Sequence, residues 1–382
     1  MIERLLLGTV ADKPHIVLKD AHGKLLFEEC FTRRGFDSSY TIVYHSHAPM
    51  PDEGYAPTQR GWPKPAATEA SHARRLFHAE KTTRTGKALD ARTVLLTNAQ
   101  IDIGVVRPTE DDDAYLANND GDDVYFLLHG SAECETPFGT LSLKQHDYLW
   151  IPRSLPHRFL RVEKDAHWLH LEMKRGMHLP RQYLNELGQL KMDAPYSHRD
   201  FRRPTWLPKS TDKATVVIKR DGRFWERKTA APLLDVVGLD GFVYPLVFPI
   251  HRFQPKTGLV HLPPTIHATF AGEGALVCSF VPRLTDTHPN AIPCPYPHSS
   301  VDCDEMIFYC SGNFTSRRGV GPGAISLHPA GVPHGPHPGA YEASIGTKST
   351  EELAVMVDTF LPLHPTQEAL AVEQADYHGT WK

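Results

Sequence analysis

His298, Glu305 and His334 are the residues of this chain best suited to chemistry. Two imidazoles and one carboxylate suit iron and other first-row ions, and three ligands on one face of an octahedron leave positions open for further molecules. A closed four-ligand site would leave no such room. Dioxygen and a second small molecule could then meet on one ion. The chain holds 23 histidines, so these residues taken alone leave two readings open: a metal site, or ordinary hydrogen-bonded histidines beside a carboxylate.

The elements that must position them show as an internal echo. Asp123 is followed after six residues by Gly130 and later by Pro152-Arg153-Ser154-Leu155-Pro156-His157. Glu305 is followed after six residues by Gly312 and later by Pro329-Ala330-Gly331-Val332-Pro333-His334. Each copy reads as an acid entering a strand, a glycine turn, and a later strand ending in Pro-x-(Ser/Gly)-x-Pro-His. Two occurrences in the same order point to duplication. The first copy has no upstream histidine, since Asn118 to Asp122 offers none. Its site is expected to be empty, with His157 an ordinary hydrogen-bonded residue and the domain a support or subunit contact.

Short β-branched and aromatic runs surround these motifs. Strands are predicted over 40–44, 93–96, 123–128, 148–151, 167–171, 214–218, 305–309 and 353–357, separated by Gly, Pro, Asn and Asp clusters. Helical period is weak; short helices are predicted over 182–187 and 366–375. The proline-rich stretch 50–67 reads as an extended covering loop.

The length of 382 residues has room for two domains, divided as 1–205, without a full metal site, and 206–382, carrying the candidate one. Lys and Arg number 41 against 45 Asp and Glu, which lacks the basic excess of a nucleic-acid binder. No apolar run reaches the ~18–20 residues that span a bilayer, and the start, Met1 to Leu7, is too briefly apolar for a signal peptide. Neither nucleic acid nor membrane is expected as a partner. Six irregularly spaced cysteines argue against a disulfide framework and for a reducing, cytoplasmic setting. Cys303 and Cys310, flanking Glu305, read as small strand residues rather than ligands.

Acid-x6-Gly followed by Pro-x-Gly-x-x-His resembles the two signature stretches of the cupins, and two copies resemble a bicupin. The resemblance implies an all-β-dominated chain of two jelly-roll barrels with few short helices. A closer resemblance is carried by Pro295-Tyr296-Pro297-His298 through Glu305, and by Ser326-Leu327-His328-Pro329 through Pro333-His334-Gly335-Pro336. These are similar to the homogentisate 1,2-dioxygenase family, most densely over residues 235–350, and the Tyr377-His378-x-x-Trp381 ending is similar as well. The resemblance implies that His298, Glu305 and His334 hold Fe(2+). It makes His261 the first candidate for acid–base work and His328 the second. It implies an oxidoreductase that inserts both atoms of O2 into a small aromatic substrate, turning homogentisate into maleylacetoacetate in tyrosine catabolism, and a homo-oligomer, a trimer or hexamer.

The chain departs from that family in three ways. It is shorter than the animal and pseudomonad members, its His298 to Glu305 spacing is one residue longer, and Phe314 stands where the family has a tyrosine. Loss of a hydroxyl from a substrate pocket changes discrimination, so another hydroquinone such as gentisate is an alternative substrate. A non-catalytic metal-binding bicupin is the alternative of a different class. His251, His267, His288 and His337 are expected at surface or loop positions, and Arg317 and Arg318 in a solvated turn.

Overall fold

The computed structural model of the chain describes residues 2–50, 54–58, 72–258, 264–314, 316–317 and 319–382. The eight predicted strands all form, seven of them extended by a residue or two, while the one expected over 214–218 runs Thr215–Arg220. Their pairing is antiparallel except between Thr215–Arg220 and Tyr115–Asn118. Among the described residues the α-helices are two single-turn segments, Ala340–Ser344 and Gln367–Ala371. The second sits inside the predicted 366–375 segment, and its Thr366 hydroxyl caps it by accepting from the Ala369 N–H. The helix expected over 182–187 is corrected to a 3-10 turn, Arg181–Tyr183, because Leu184 leaves it to bridge with Leu190.

Two seven-stranded sheets dominate, the architecture of a bicupin. One runs in the order Leu246–Pro249, Asp147–Ile151, Asp122–His129, His167–Met173, Ile101–Val106, Arg92–Thr97 and His364–Pro365. The other runs Met177–His178, Ala268–Gly272, Ala275–Phe280, Leu353–Thr359, Asp304–Ser311, Ile325–His328 and Arg75–Phe77. The sheets meet back to back. Phe126 of the first lies 6.5 Å from Phe308 of the second, and Tyr148 packs on Phe270 and hydrogen-bonds Ser279 at 2.9 Å.

Strand alternation turns this packing into site geometry. In Asp304–Ser311, Met306 and Phe308 face the other sheet, so Glu305 and Ile307 face the opposite way, into their own barrel. In Asp122–His129 the same register sends Phe126 to the interface and Asp123 and Tyr125 inward, where Phe159 packs between Tyr125 and Trp168.

The glycines of the echo are conformational requirements. Gly130 and Gly312 have φ of +84° and +92°, and a Cβ would lie 3.0 Å from Ala166 Cα and 2.0 Å from Glu351 O. A division of the chain near residue 205 remains our proposal. Strands cross it in both directions: Arg75–Phe77 edges the sheet of Ile325–His328, and Leu246–Pro249 edges that of Asp147–Ile151. Of the predicted covering loop, Ala56–Pro57 pairs with Trp225 and Glu226, and residues 51–53 and 59–67 lie outside the described residues.

A further four-stranded sheet, Leu5–Gly8, Val236–Gly241, Tyr40–His45 and Phe27–Thr32, is stitched by His45. Its Nδ1 lies 2.7 Å from Asp235 and its Nε2 3.1 Å from Glu29, while the His47 ring lies 3.2 Å from the other Asp235 oxygen. Burial opposes a charge on His45, but the hydrogen bonds and charges of Asp235 and Glu29 outweigh it and raise the pKa to about 9. The folded chain therefore binds this proton more tightly than the unfolded chain. The stabilisation is complete below about pH 6.5, the ordinary histidine value, and is lost as pH rises through about 9. Equilibrium urea unfolding should show the native chain losing on the order of 3 kcal/mol across that window, and His45→Gln losing distinctly less. Parallel losses in the two proteins would contradict the assignment.

Candidate functional site

Three elements bring the site together. Glu305 is the second residue of the strand Asp304–Ser311, His328 ends the neighbouring strand directly opposite it, and the loop after His328 carries His334. His334 and His298 then form an isolated antiparallel bridge, exchanging two backbone hydrogen bonds of 2.8 Å. The side-chain donor atoms of His298, Glu305 and His334 all lie within 4.8 Å of one another, and the three could hold a metal ion. His298 Nε2 is 3.8 Å from one Glu305 oxygen, and His334 Nε2 is 3.5 Å from the other.

Hydrogen bonding fixes the tautomers. Nδ1 of His298 donates to the Tyr296 carbonyl at 2.8 Å, and Nδ1 of His334 donates to the Val332 carbonyl at 2.9 Å. Each Nδ1 therefore carries the proton, and each Nε2 presents a lone pair toward Glu305. The His334 Nε2 is buried with no hydrogen-bond partner, which an ion would supply. Burial alone would push the Glu305 carboxyl up, but hydrogen bonding, to which His328 contributes a direct N–H, holds it well below the ordinary glutamate value. His328 donates to Glu305 through Nδ1 at 2.7 Å, while burial lowers its own pKa to about 4. A neutral imidazole beside a charged carboxylate is the consistent pair. Across the sheet, Asp358 pairs with Glu305, and burial and the Glu305 charge push its carboxyl up to about 7.

A cavity of about 350 Å³ opens on His298 and Glu305, a size suited to a small molecule. Its wall includes Ile307, Phe280, Met356, His267, Arg283 and Arg317. Of the two histidines expected at surface or loop positions, His337 does lie in a loop and His267 ends a 3-10 turn, but both are buried, His267 3% and His337 1% exposed. His267 stacks beside Phe280 at 4.8 Å, burial lowers its pKa to about 3, and its Nδ1 is buried without a partner. No sequence motif marks it; its place depends on the 3-10 turn Pro264–His267, which turns it inward. His251 and His288 are exposed as expected. Arg317, expected in a solvated turn, is a half-buried wall residue. Phe314, expected in the substrate pocket, packs instead on Tyr309 at 4.9 Å and does not line this cavity. His261 and Arg318 lie outside the described residues.

The first barrel repeats the frame with different contents. Leu116 bridges His157 as His298 bridges His334, so a leucine stands in the position of the histidine. Asp123 accepts from Asn118 at 3.0 Å and lies 2.7 Å from the ring of His170. His157 Nε2 meets the Tyr125 hydroxyl at 3.0 Å, and that hydroxyl also accepts from Arg92. The aspartate preceding each acid is repeated as well: Asp122 accepts from the Arg153 N–H and Asp304 from the Ala330 N–H, each anchoring the loop that ends in its histidine. That signal, Asp-Asp and Asp-Glu at equivalent positions, was available in the sequence.

Comparison with known proteins bears on both barrels. The family model described as homogentisate 1,2-dioxygenase N-terminal matches residues 84–250. A Saccharolobus solfataricus protein named "Putative dioxygenase" is 34% identical over 98% of this chain and 97% of its own length. The chain belongs to the homogentisate 1,2-dioxygenase family. The homogentisate 1,2-dioxygenases of Rhodopseudomonas palustris (strain HaA2) and Legionella pneumophila (strain Lens) are each 26% identical over 71% of this chain, covering 63% and 68% of their own lengths. Among solved structures, a cupin 2 conserved barrel domain protein from Leptotrichia buccalis covers 78% of the chain at 9% identity with a TM-score of 0.34. Family membership and the three-residue group fit a metal cofactor in the second barrel. No helix among the described residues is long and apolar enough to cross a membrane.

Glu305→Ala removes the one carboxylate of the group and should abolish divalent-metal uptake, a larger effect than the ten- to hundredfold cost of losing an outer hydrogen-bond partner. Far-UV circular dichroism should stay native. Metal content at the native level in the purified variant would contradict the role given to this residue.

Proposed function

We propose that this dioxygenase uses Fe(2+) to open the ring of a hydroquinone, with homogentisate as substrate and maleylacetoacetate as product, both oxygen atoms of O2 being incorporated. The observation that carries the reading is the convergence of two Nε2 lone pairs and one charged carboxylate, with His298 and Glu305 opening on a cavity. Iron bound by His298, Glu305 and His334 would supply a Lewis acid with open positions for a phenolic oxygen and for O2.

The rest of the work falls to the chain. A free phenol ionises near pH ~10, so a base must take its proton at neutral pH. His261 is the proposed base on the strength of the family resemblance. His328 hydrogen-bonds Glu305 and lines no part of the cavity, which supports a role in holding the carboxylate in place. The neutral His267 ring, beside Phe280 on the cavity wall, adds uncharged surface against which the substrate ring can pack. Arg283 and Arg317 give the wall two cations, and Arg283 is only loosely paired, 3.7 Å from Glu352. A guanidinium fork matches a carboxylate, which supports a substrate with an acidic side chain. Phe280, Ile307 and Met356 provide the apolar surface that receives the ring and excludes water.

Oxygen uptake after anaerobic Fe(2+) loading tests this reading, with homogentisate and gentisate compared side by side. Uptake of one O2 per homogentisate, with gentisate turned over at least tenfold more slowly, is the expected result. Preference for gentisate would move the substrate assignment. Bound iron with no uptake on any hydroquinone would make the chain a non-catalytic metal-binding bicupin.

A further inference from the structure

We infer that Trp381, together with the two arginines it contacts, is a positioning residue for His334. The inference rests on the metal-binding role proposed above for that histidine. The carbonyls on either side of His334 are each held by a guanidinium. Arg74 donates to Pro333 O, through Nε at 2.9 Å and through Nη2, and Arg317 donates to Gly335 O through Nη1. These arginines come from distant parts of the chain, and their like charges oppose one another. What they share is one aromatic ring: the guanidinium carbons of Arg74 and Arg317 lie 4.7 and 5.8 Å from the centroid of Trp381. The negative face of an indole offsets such repulsion and holds the cations where they are.

The ring is itself anchored. Tyr377 is buried with Leu76, Tyr309 and Ala324, and Trp381 stands edge-on to it at 5.1 Å. His337 stacks on the indole at 3.8 Å and bonds Thr380 of the same turn at 2.9 Å. The Arg74 N–H donates to His378 Nδ1 at 3.1 Å. On its other contact Trp381 meets the edge of His328 at 6.3 Å, and His328 in turn stacks on His334 at 4.6 Å with 9° between the planes. The chain's last turn, Tyr377–Trp381, thus braces two histidines at once: His334 through the arginine clamp on its loop, and His328, which grips Glu305. Of this brace only Arg317 reaches the cavity wall; Trp381 does not line the cavity, so it acts through other residues and touches no substrate.

The test uses the full chain with Trp381→Ala and Trp381→Phe. Two readouts are taken: release of Co(2+) or Fe(2+) into a chelator, with the visible spectrum of the Co(2+) form, and amide hydrogen exchange over residues 329–337 without metal. Trp381→Ala should release metal ten- to hundredfold faster, the cost typical of a lost supporting contact, shift the Co(2+) bands, and raise exchange at 329–337 selectively. Trp381→Phe, which keeps an aromatic face, should recover most of each effect. If Trp381→Ala does not fold, Arg74→Gln removes one arm of the clamp, both its bonds to Pro333 O and its contact with the indole, and should give the same faster release. Native release, native spectrum and native exchange in the folded alanine variant would overturn the inference, as would an exchange increase spread evenly over the chain. A native chain that takes up no metal would defeat the proposed function, while exchange at 329–337 would still decide the brace.

Discussion

A carboxylate enclosed by protein and kept charged is the constraint on which this structure turns. An isolated buried carboxylate would take up a proton rather than pay the desolvation cost. Glu305 instead has three imidazoles around it, one of which donates directly at 2.7 Å. The two others have their protons turned away, toward the carbonyls two residues before them. That leaves negative charge and two lone pairs facing one point, which a cation would satisfy. Strand alternation, the back-to-back sheets and the tight glycine turns all serve to hold this arrangement at the inner end of a cavity.

The duplicated frame shows how the same architecture behaves when its donors are occupied. In the first barrel the acid, the loop histidine and the bridging position persist, but a leucine fills the bridge, and Tyr125, Asn118 and His170 satisfy the acid and the histidine. Arg92 donates to the Tyr125 hydroxyl, and its charge also acts on Asp123 and His157. A fixed cation within the protein thereby takes over part of the electrostatic task that a metal would perform. The aspartate anchoring the loop is kept in both barrels because it shapes the backbone irrespective of what the centre holds.

Most of the strands were legible in the sequence because they depend on local rules, whereas the three converging residues read as a metal group only through the resemblance to the cupins. Alternation, turn glycines with positive φ and the proline-bounded loops read out one residue at a time. What was not legible depends on long-range placement. His267 and His337 carry no motif, and only tertiary packing buries them. Phe314 and Arg317 lie three residues apart on one loop, yet the aromatic packs on Tyr309 while the arginine reaches the cavity wall and Gly335. Nothing in local spacing distinguishes those outcomes. The helix expected over 182–187 failed because the Leu184 to Leu190 bridge competes successfully for the same backbone.

X-ray absorption spectroscopy on protein loaded anaerobically with Fe(2+) tests the central claim most directly, since it counts the light-atom ligands and recognises imidazole. The account predicts one ion per chain, bound by two imidazoles and a carboxylate with the remaining positions held by solvent. An ion with no imidazole in its coordination shell, or a chain that retains no ion, would contradict it.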